Sequence, residues 1–136
     1  MGRRKPARVL DTVYLIRLWH GHYPSPASVR SEAAARAAAQ AAHRVFGTVA
    51  IVTPVRIEFL AGLRDREELR LADIFLGEFE LLDEGRVVTD DWREAERLAR
   101  RVPHDGRARD LGDCLVRAIA DRLNAEVLTQ DQSFPR

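Results

Sequence analysis

The chain has 136 residues, 46% hydrophobic and 32% charged, with a formal net charge of +1. That length suits one domain over residues 1–136 with a buried core, and so balanced a charge gives no global basic field, which makes any nucleic-acid site a local one. A lone cysteine excludes an internal disulfide framework. No run approaches the roughly 18 apolar residues of a membrane span and no signal peptide opens the chain, so the expected setting is cytoplasmic with no membrane contact.

After a small basic start, Gly2-Arg3-Arg4-Lys5, residues Ala7-Arg8-Val9-Leu10 read as a first strand ended by Asp11-Thr12. A short helix over 12–19 follows, halted by Gly21, Pro24 and Pro26. Ser28 to Phe46 is the strongest helix: Ser28, Ser31 and Glu32 offer caps, Ala33 to Ala42 has high helix propensity, and Gly47 stops it. Its alanines allow close approach of a neighbouring helix or of a partner. Thr48 to Thr53 is β-branched and continuous enough for a strand buried on both faces. Pro54 then suits the first turn of a helix that carries Glu58 among Ile57, Phe59 and Leu60.

Arg64 to Leu76 reads as an amphipathic helix with Leu69, Ile74, Phe75 and Leu76 as its apolar contacts, and Phe79 to Leu82 as a short third strand. A helix from Thr89 to Arg101 is expected to turn Trp92, Ala95, Leu98 and Ala99 inward. After the loop Val102 to Arg107, a helix opens near Asp110 with Leu111, Leu115, Ile119 and Leu123 at helical spacing, and Leu115 and Ile119 are expected to face the sheet. Ala125 to Leu128 is an apolar strand leading to Asp131, so that any last edge strand beyond it is short or absent. Strands alternating with helices predict an α/β fold with a parallel sheet.

Four acids, Asp11, Glu58, Asp113 and Asp131, map to the C-terminal side of that sheet, where open parallel sheets bind ligands. If they converge, their repulsion raises one or more pKa values unless a hard divalent cation relieves it. Mg²⁺ or Mn²⁺ prefers such oxygen donors, and the absence of a Cys/His cluster argues against zinc. Each acid alone has an ordinary alternative as a helix cap, a turn residue or an ion-pair partner of Arg56 or Arg64. Asp110 competes with Asp113 in the same first turn; Asp113 is preferred for the site and Asp110 for the cap. Arg56, Arg109 and Arg117, with Arg17, His104 and Arg107, are candidates to position phosphates, although Arg56 and Arg117 have the alternative of neutralising Glu58 and Asp113. The four histidines show no metal-ligand spacing, Cys114 reads as a small buried hydrophobe, and Trp19, Tyr14 and Tyr23 read as core or dimer contacts.

Four segments together carry a resemblance: Val9-Leu10-Asp11-Thr12, Thr53-Pro54-Val55-Arg56-Ile57-Glu58-Phe59-Leu60, Leu111-Gly112-Asp113-Cys114-Leu115, and Val127-Leu128-Thr129-Gln130-Asp131. In this order, and spanning nearly the whole chain, they resemble PIN-domain proteins, specifically the VapC-type toxins of toxin–antitoxin pairs. The resemblance implies a three-layer α/β/α fold with a central parallel sheet of four to five strands, and a Mg²⁺- or Mn²⁺-dependent endoribonuclease that is held inactive by a cognate antitoxin and is usually a homodimer. Asp11, Glu58, Asp113 and Asp131 would be its acidic quartet, Asp11 and Asp113 the foremost metal ligands, and Thr12 and Thr129 hydroxyl supports for the acids. Antitoxin contact is expected at the alanine-rich helix and at Phe59-Leu60 and Phe75-Leu76. Two departures are Val13, where many members have Asn, and the segment from Gly62 to Asp110, which shows no clear motif.

Two rivals stand beside this reading. One is a PIN-like module that binds an antitoxin or RNA without turnover. The other is an aspartyl-nucleophile phosphatase, against which Asp11-Thr12-Val13 lacks the second aspartate such enzymes use as acid.

Overall fold

The computed structural model describes residues 6–21, 29–101, 109–130 and 134–135. Four strands form one parallel sheet: β1 (Ala7–Leu10), β2 (Ala50–Ile51), β3 (Glu80–Leu81) and β4 (Ala125–Leu128), in the order β3-β2-β1-β4. Among the described residues six helices connect them: α1 (Thr12–Trp19), α2 (Glu32–Phe46), α3 (Thr53–Ala61), α4 (Arg66–Gly77), α5 (Thr89–Ala99) and α6 (Leu111–Arg122). The result is the expected α/β fold of three layers, helices on both sides of a parallel sheet. The chain steps outward from β1 through β2 to β3 and then returns to place β4 on the other side of β1. This reversal opens a crevice past the C-terminal end of β1, the position at which parallel sheets admit ligands.

The pair β1–β4 is in register over all four residues, from Ala7 opposite Ala125 to Leu10 opposite Leu128. β2 is shorter than the β-branched run Thr48–Thr53 predicts, for a local reason. Thr48 spends its hydroxyl on the Arg8 carbonyl (2.7 Å) and on the Ala50 N–H (3.1 Å), while Thr53 already opens α3. Side-chain bonds thus replace part of the ladder.

Capping sets the helix ends. Ser31 accepts the Ala34 N–H, and Gly47 ends α2 in the left-handed conformation that glycine adopts without a Cβ penalty. The alanine face Ala35, Ala39 and Ala42 is fully buried. Its small side chains allow α2 to lie close against α4 and α1, so this face is spent within the fold. Beneath these helices Trp19, Phe59, Phe75 and Phe79 form an aromatic chain with successive centroids 5.6, 5.5 and 5.0 Å apart.

Several expected faces differ. Phe75 and Leu76 are 0% and 1% exposed, and Phe59 is buried with them, so these residues are core and not a docking surface; Leu69 is the exposed member of α4. In α5 the inward positions are Asp91, Ala95 and Leu98, while Trp92 is 52% exposed and Ala99 is exposed as well. The helix is rotated because Asp91 is anchored: it accepts the Val88 N–H (2.9 Å) and a two-pronged bond from Arg122 of α6 (2.8 and 3.0 Å). In α6, Val116, Ile119 and Ala120 join the core under the sheet, whereas Leu115 turns with Cys114 and Ala118 toward Ala95 and Leu98 of α5. Leu111 is exposed. Among the described residues no helix is long and apolar enough to cross a membrane.

Candidate active site

Asp11 follows directly on β1, caps α1, and is buried. Its backbone N–H continues the ladder to the Leu128 carbonyl (3.0 Å). Its carboxylate is held from both sides: Oδ1 accepts the Thr12 N–H (2.7 Å) and Oδ2 accepts the Thr129 hydroxyl (2.7 Å). The β1–α1 junction and the end of β4 therefore orient one acid between them. The Thr129 hydroxyl occupies the supporting role expected of it. At Thr12 it is the backbone that supports Asp11; the hydroxyl is buried with no hydrogen-bond partner of acceptable geometry.

Glu58 is delivered by α3. Val52 offers that helix no side-chain cap, and the task falls to Asp83 at the end of β3, which accepts the Thr53 N–H (2.9 Å) and the Thr53 hydroxyl (2.7 Å). Sequence reasoning passed over Asp83, although Leu81-Leu82-Asp83 repeats the apolar-run-then-acid pattern of Val9-Leu10-Asp11. Glu58 and Ile57 are exposed, so the setting is less apolar than their neighbours in sequence suggest. The carboxyl nonetheless turns toward the start of α6, and it binds its proton more tightly than an ordinary glutamate. Loss of solvent is the first cause and the nearby Asp110 the second; the Thr12 hydroxyl partly offsets them, and Asp11 adds further repulsion.

Asp110 caps α6 by accepting the Asp113 N–H (3.1 Å), the role expected of it, but its carboxylate is also the one that faces Glu58. Gly112 makes this approach possible. A Cβ on Gly112 would lie 3.0 Å from Asp110 Oδ1 and 3.1 Å from Glu58 Oε2. Gly112→Ala is therefore expected to push the two carboxylates apart by a few tenths of an ångström. Folding stability should change by less than about 1 kcal/mol, because alanine's better helix propensity offsets the crowding. Activity should fall at least several-fold, which thermal melts run beside a cleavage assay would separate. Asp113 lies in the first turn of α6, half-buried. Asp131 lies outside the described residues, as do Tyr23, His22, His104, Arg107 and the basic start.

The sign of the Glu58 shift yields a second expectation. Below pH 4.5, the ordinary glutamate value, Glu58 is protonated both folded and unfolded and costs nothing. As pH rises through its elevated folded value, the charged form burdens only the folded state. Glu58→Gln should therefore raise the melting midpoint of the ion-free protein at neutral pH, and the gain should vanish below pH 4.5. Melts in EDTA across that range measure it.

Among the described residues no three acids or other ligating side chains stand close enough to close around one ion. The donor chemistry still fits a hard divalent cation. Glu58 is repelled by both Asp110 and Asp11, the Thr12 hydroxyl beside it is buried, and these are hard oxygen donors.

The three arginines expected to contact RNA have different fates. Arg109 is half-buried beside Asp110, with its Nε enclosed and without a hydrogen-bond partner among the described residues. Arg56 is half-buried on α3 and makes no ion pair with Glu58. Arg117 is committed elsewhere: it donates to the Pro135 carbonyl (2.7 Å), stacks over the Phe134 ring (5.4 Å) and lies 3.8 Å from Asp121.

Comparison with protein-family models gives a match to the PIN domain over residues 8–136. Neither the curated proteins nor the solved structures give a match.

Proposed function

The chain belongs to the PIN-domain family, and from that premise we propose that it is a Mg²⁺- or Mn²⁺-dependent endoribonuclease, the VapC-type toxin of a toxin–antitoxin pair. PIN domains are in general nucleases, so phosphodiester hydrolysis is the chemistry of the family. The observation that carries the finer reading is the approach of Glu58 both to Asp110 and to Asp11, whose carboxylate is fixed by Thr129.

Asp11 and Asp113, with Glu58 and Asp131, are the residues that would hold the ion. When bound, a divalent ion neutralises phosphate charge and lowers the pKa of a coordinated water. Asp11 presents its carboxylate in one orientation because both its oxygens are engaged. Glu58, with its heightened proton affinity, is suited to take a proton from the attacking water at a carboxyl oxygen. Arg109, half-buried beside Asp110, is a candidate to position a phosphate oxygen through its guanidinium. Arg56 is a second positioning candidate, and Arg117 a weaker one given its existing partners.

The same reading includes a cognate antitoxin, a homodimer and a cytoplasmic setting. With Phe75 and Leu76 in the core, the exposed apolar residues next to the acids, Ile57 (60%) and Leu111 (66%), are the groups left to meet a protein partner.

The test is cleavage of a fluorescent RNA panel by purified protein verified free of antitoxin, with Mg²⁺, with Mn²⁺ and with EDTA. Cutting that requires the ion and stops in EDTA is the expected result. No cutting on any RNA with either ion would overturn the reading in favour of a binding module without turnover.

A further inference from the structure

A cleft of about 330 Å³ opens beside the acidic cluster, and Glu58 lines both. Much of its lining is apolar, Ile16 and Trp19 from α1 with Phe59 and Leu63 from the end of α3 and just beyond, and His20 joins Glu58 among its polar groups. Trp19 is only 5% exposed and is braced edge-on by Phe59 and Phe75 at 5.6 and 5.4 Å, so it forms a rigid floor. At the far side stands a fixed polar pair. Glu68 accepts the Arg64 N–H (2.6 Å) and the Arg64 guanidinium (3.1 and 3.3 Å), which leaves a carboxylate and a cation side by side at the wall.

Flat apolar walls with one anchored donor–acceptor pair suit a planar group with apolar faces and a polar edge. Single-stranded RNA is recognised by bases turned out of the stack into such slots. An RNA whose phosphate lies at the acids must place a neighbouring nucleotide at this mouth, because Glu58 belongs to both.

We propose that this cleft receives the unpaired base of the nucleotide adjoining the scissile phosphate, with Ile16 and Leu63 as its walls and Glu68 reading its edge. The proposal rests on the ribonuclease reading and adds to it the place where that enzyme would distinguish one base from another.

The test reads binding without turnover. The chain has two tryptophans, Trp19 and the exposed Trp92, so Trp92→Phe leaves a single fluorophore, in the cleft. In EDTA, with excitation at the red edge of tryptophan absorption, the four nucleoside 5′-monophosphates are titrated in turn. At least one should change Trp19 emission saturably, while ribose 5-phosphate should not. Leu63→Phe, which narrows the cleft, should weaken that response at least fivefold. Ile16→Ala, a change at an exposed position that leaves the fold alone, should weaken it as well. Glu68→Gln should alter the ranking of the four bases.

No response to any nucleotide would overturn the proposal, as would a response that neither Leu63→Phe nor Ile16→Ala changes. An equal response to ribose 5-phosphate would overturn it in favour of a phosphate site, and an equal response to N-acetyl-phenylalaninamide in favour of a groove for protein side chains. The two readings fail separately. RNA cutting without a nucleotide response removes the base pocket and keeps the nuclease; a nucleotide response in a protein that cuts no RNA does the reverse.

Discussion

Asp11→Asn is expected to lower ion-dependent RNA cleavage by more than about 100-fold while leaving the melting midpoint nearly unchanged. The asparagine carbonyl can still accept the Thr12 N–H, and its amide can donate to the Thr129 hydroxyl in place of accepting from it, so both local bonds survive with one reversed. What is lost is the negative charge and one hard oxygen donor, the two properties that a divalent ion requires. Thr129→Val grades the same effect. It removes a support and not a ligand, and supports of this kind are worth about 10–100-fold. Single-turnover cleavage by both variants, with the wild type alongside, gives the comparison. Asp11→Asn cutting as fast as the wild type would remove Asp11 from the chemistry altogether.

The largest stability effect is expected at Phe75. It is fully buried and touches Trp19, Phe59 and Phe79 at 5.4, 5.5 and 5.0 Å, so it is the hub of the aromatic chain. Phe75→Ala removes the hub and leaves a cavity that neighbouring rings cannot fill without losing their edge-on contacts. Such truncations cost about 3–5 kcal/mol, against a total stability of about 5–15 kcal/mol for a domain. Urea unfolding followed by circular dichroism should show the midpoint fall sharply with little change in slope. An effect below about 1 kcal/mol would mean that this cluster is not the centre of the core. The same variant would separate the two ideas about Phe75-Leu76, since a docking surface would lose partner affinity and keep its stability.

The order of elements and the parallel sheet were legible because they rest on periodicity and on strong punctuation, such as Gly47 after the alanine helix and Pro54 at the start of α3. Asp11 and Glu58 were legible as acids at strand ends for the same reason. The errors share a physical origin: a one-dimensional pattern cannot see a buried charge. The apolar pattern of α5 turns Trp92 inward and gives no sign that Asp91 is buried, because a carboxylate has no place in a core until a partner 31 positions away neutralises it. Arg122 does so, and α5 turns to let it. Leu115 was assigned to the sheet because nothing in its own helix reveals that α5 would cover that side. The part played by Asp110 depends on Gly112, whose missing side chain matters only once Glu58 has arrived from elsewhere.

The bond between Thr129 and Asp11 spans 118 positions of sequence. β1 likewise pairs with β4 along its whole length, so this side of the sheet is stitched from two distant parts of the chain. Contacts of such long range are slow to close and come late in folding. A ribosome that has made everything up to α6 has therefore released a chain whose Asp11 has no β4 beside it and no hydroxyl to hold it. The carboxylate of Asp11 is thus fixed from both sides only once Thr129, 118 positions later in the order of synthesis, has come to lie beside it.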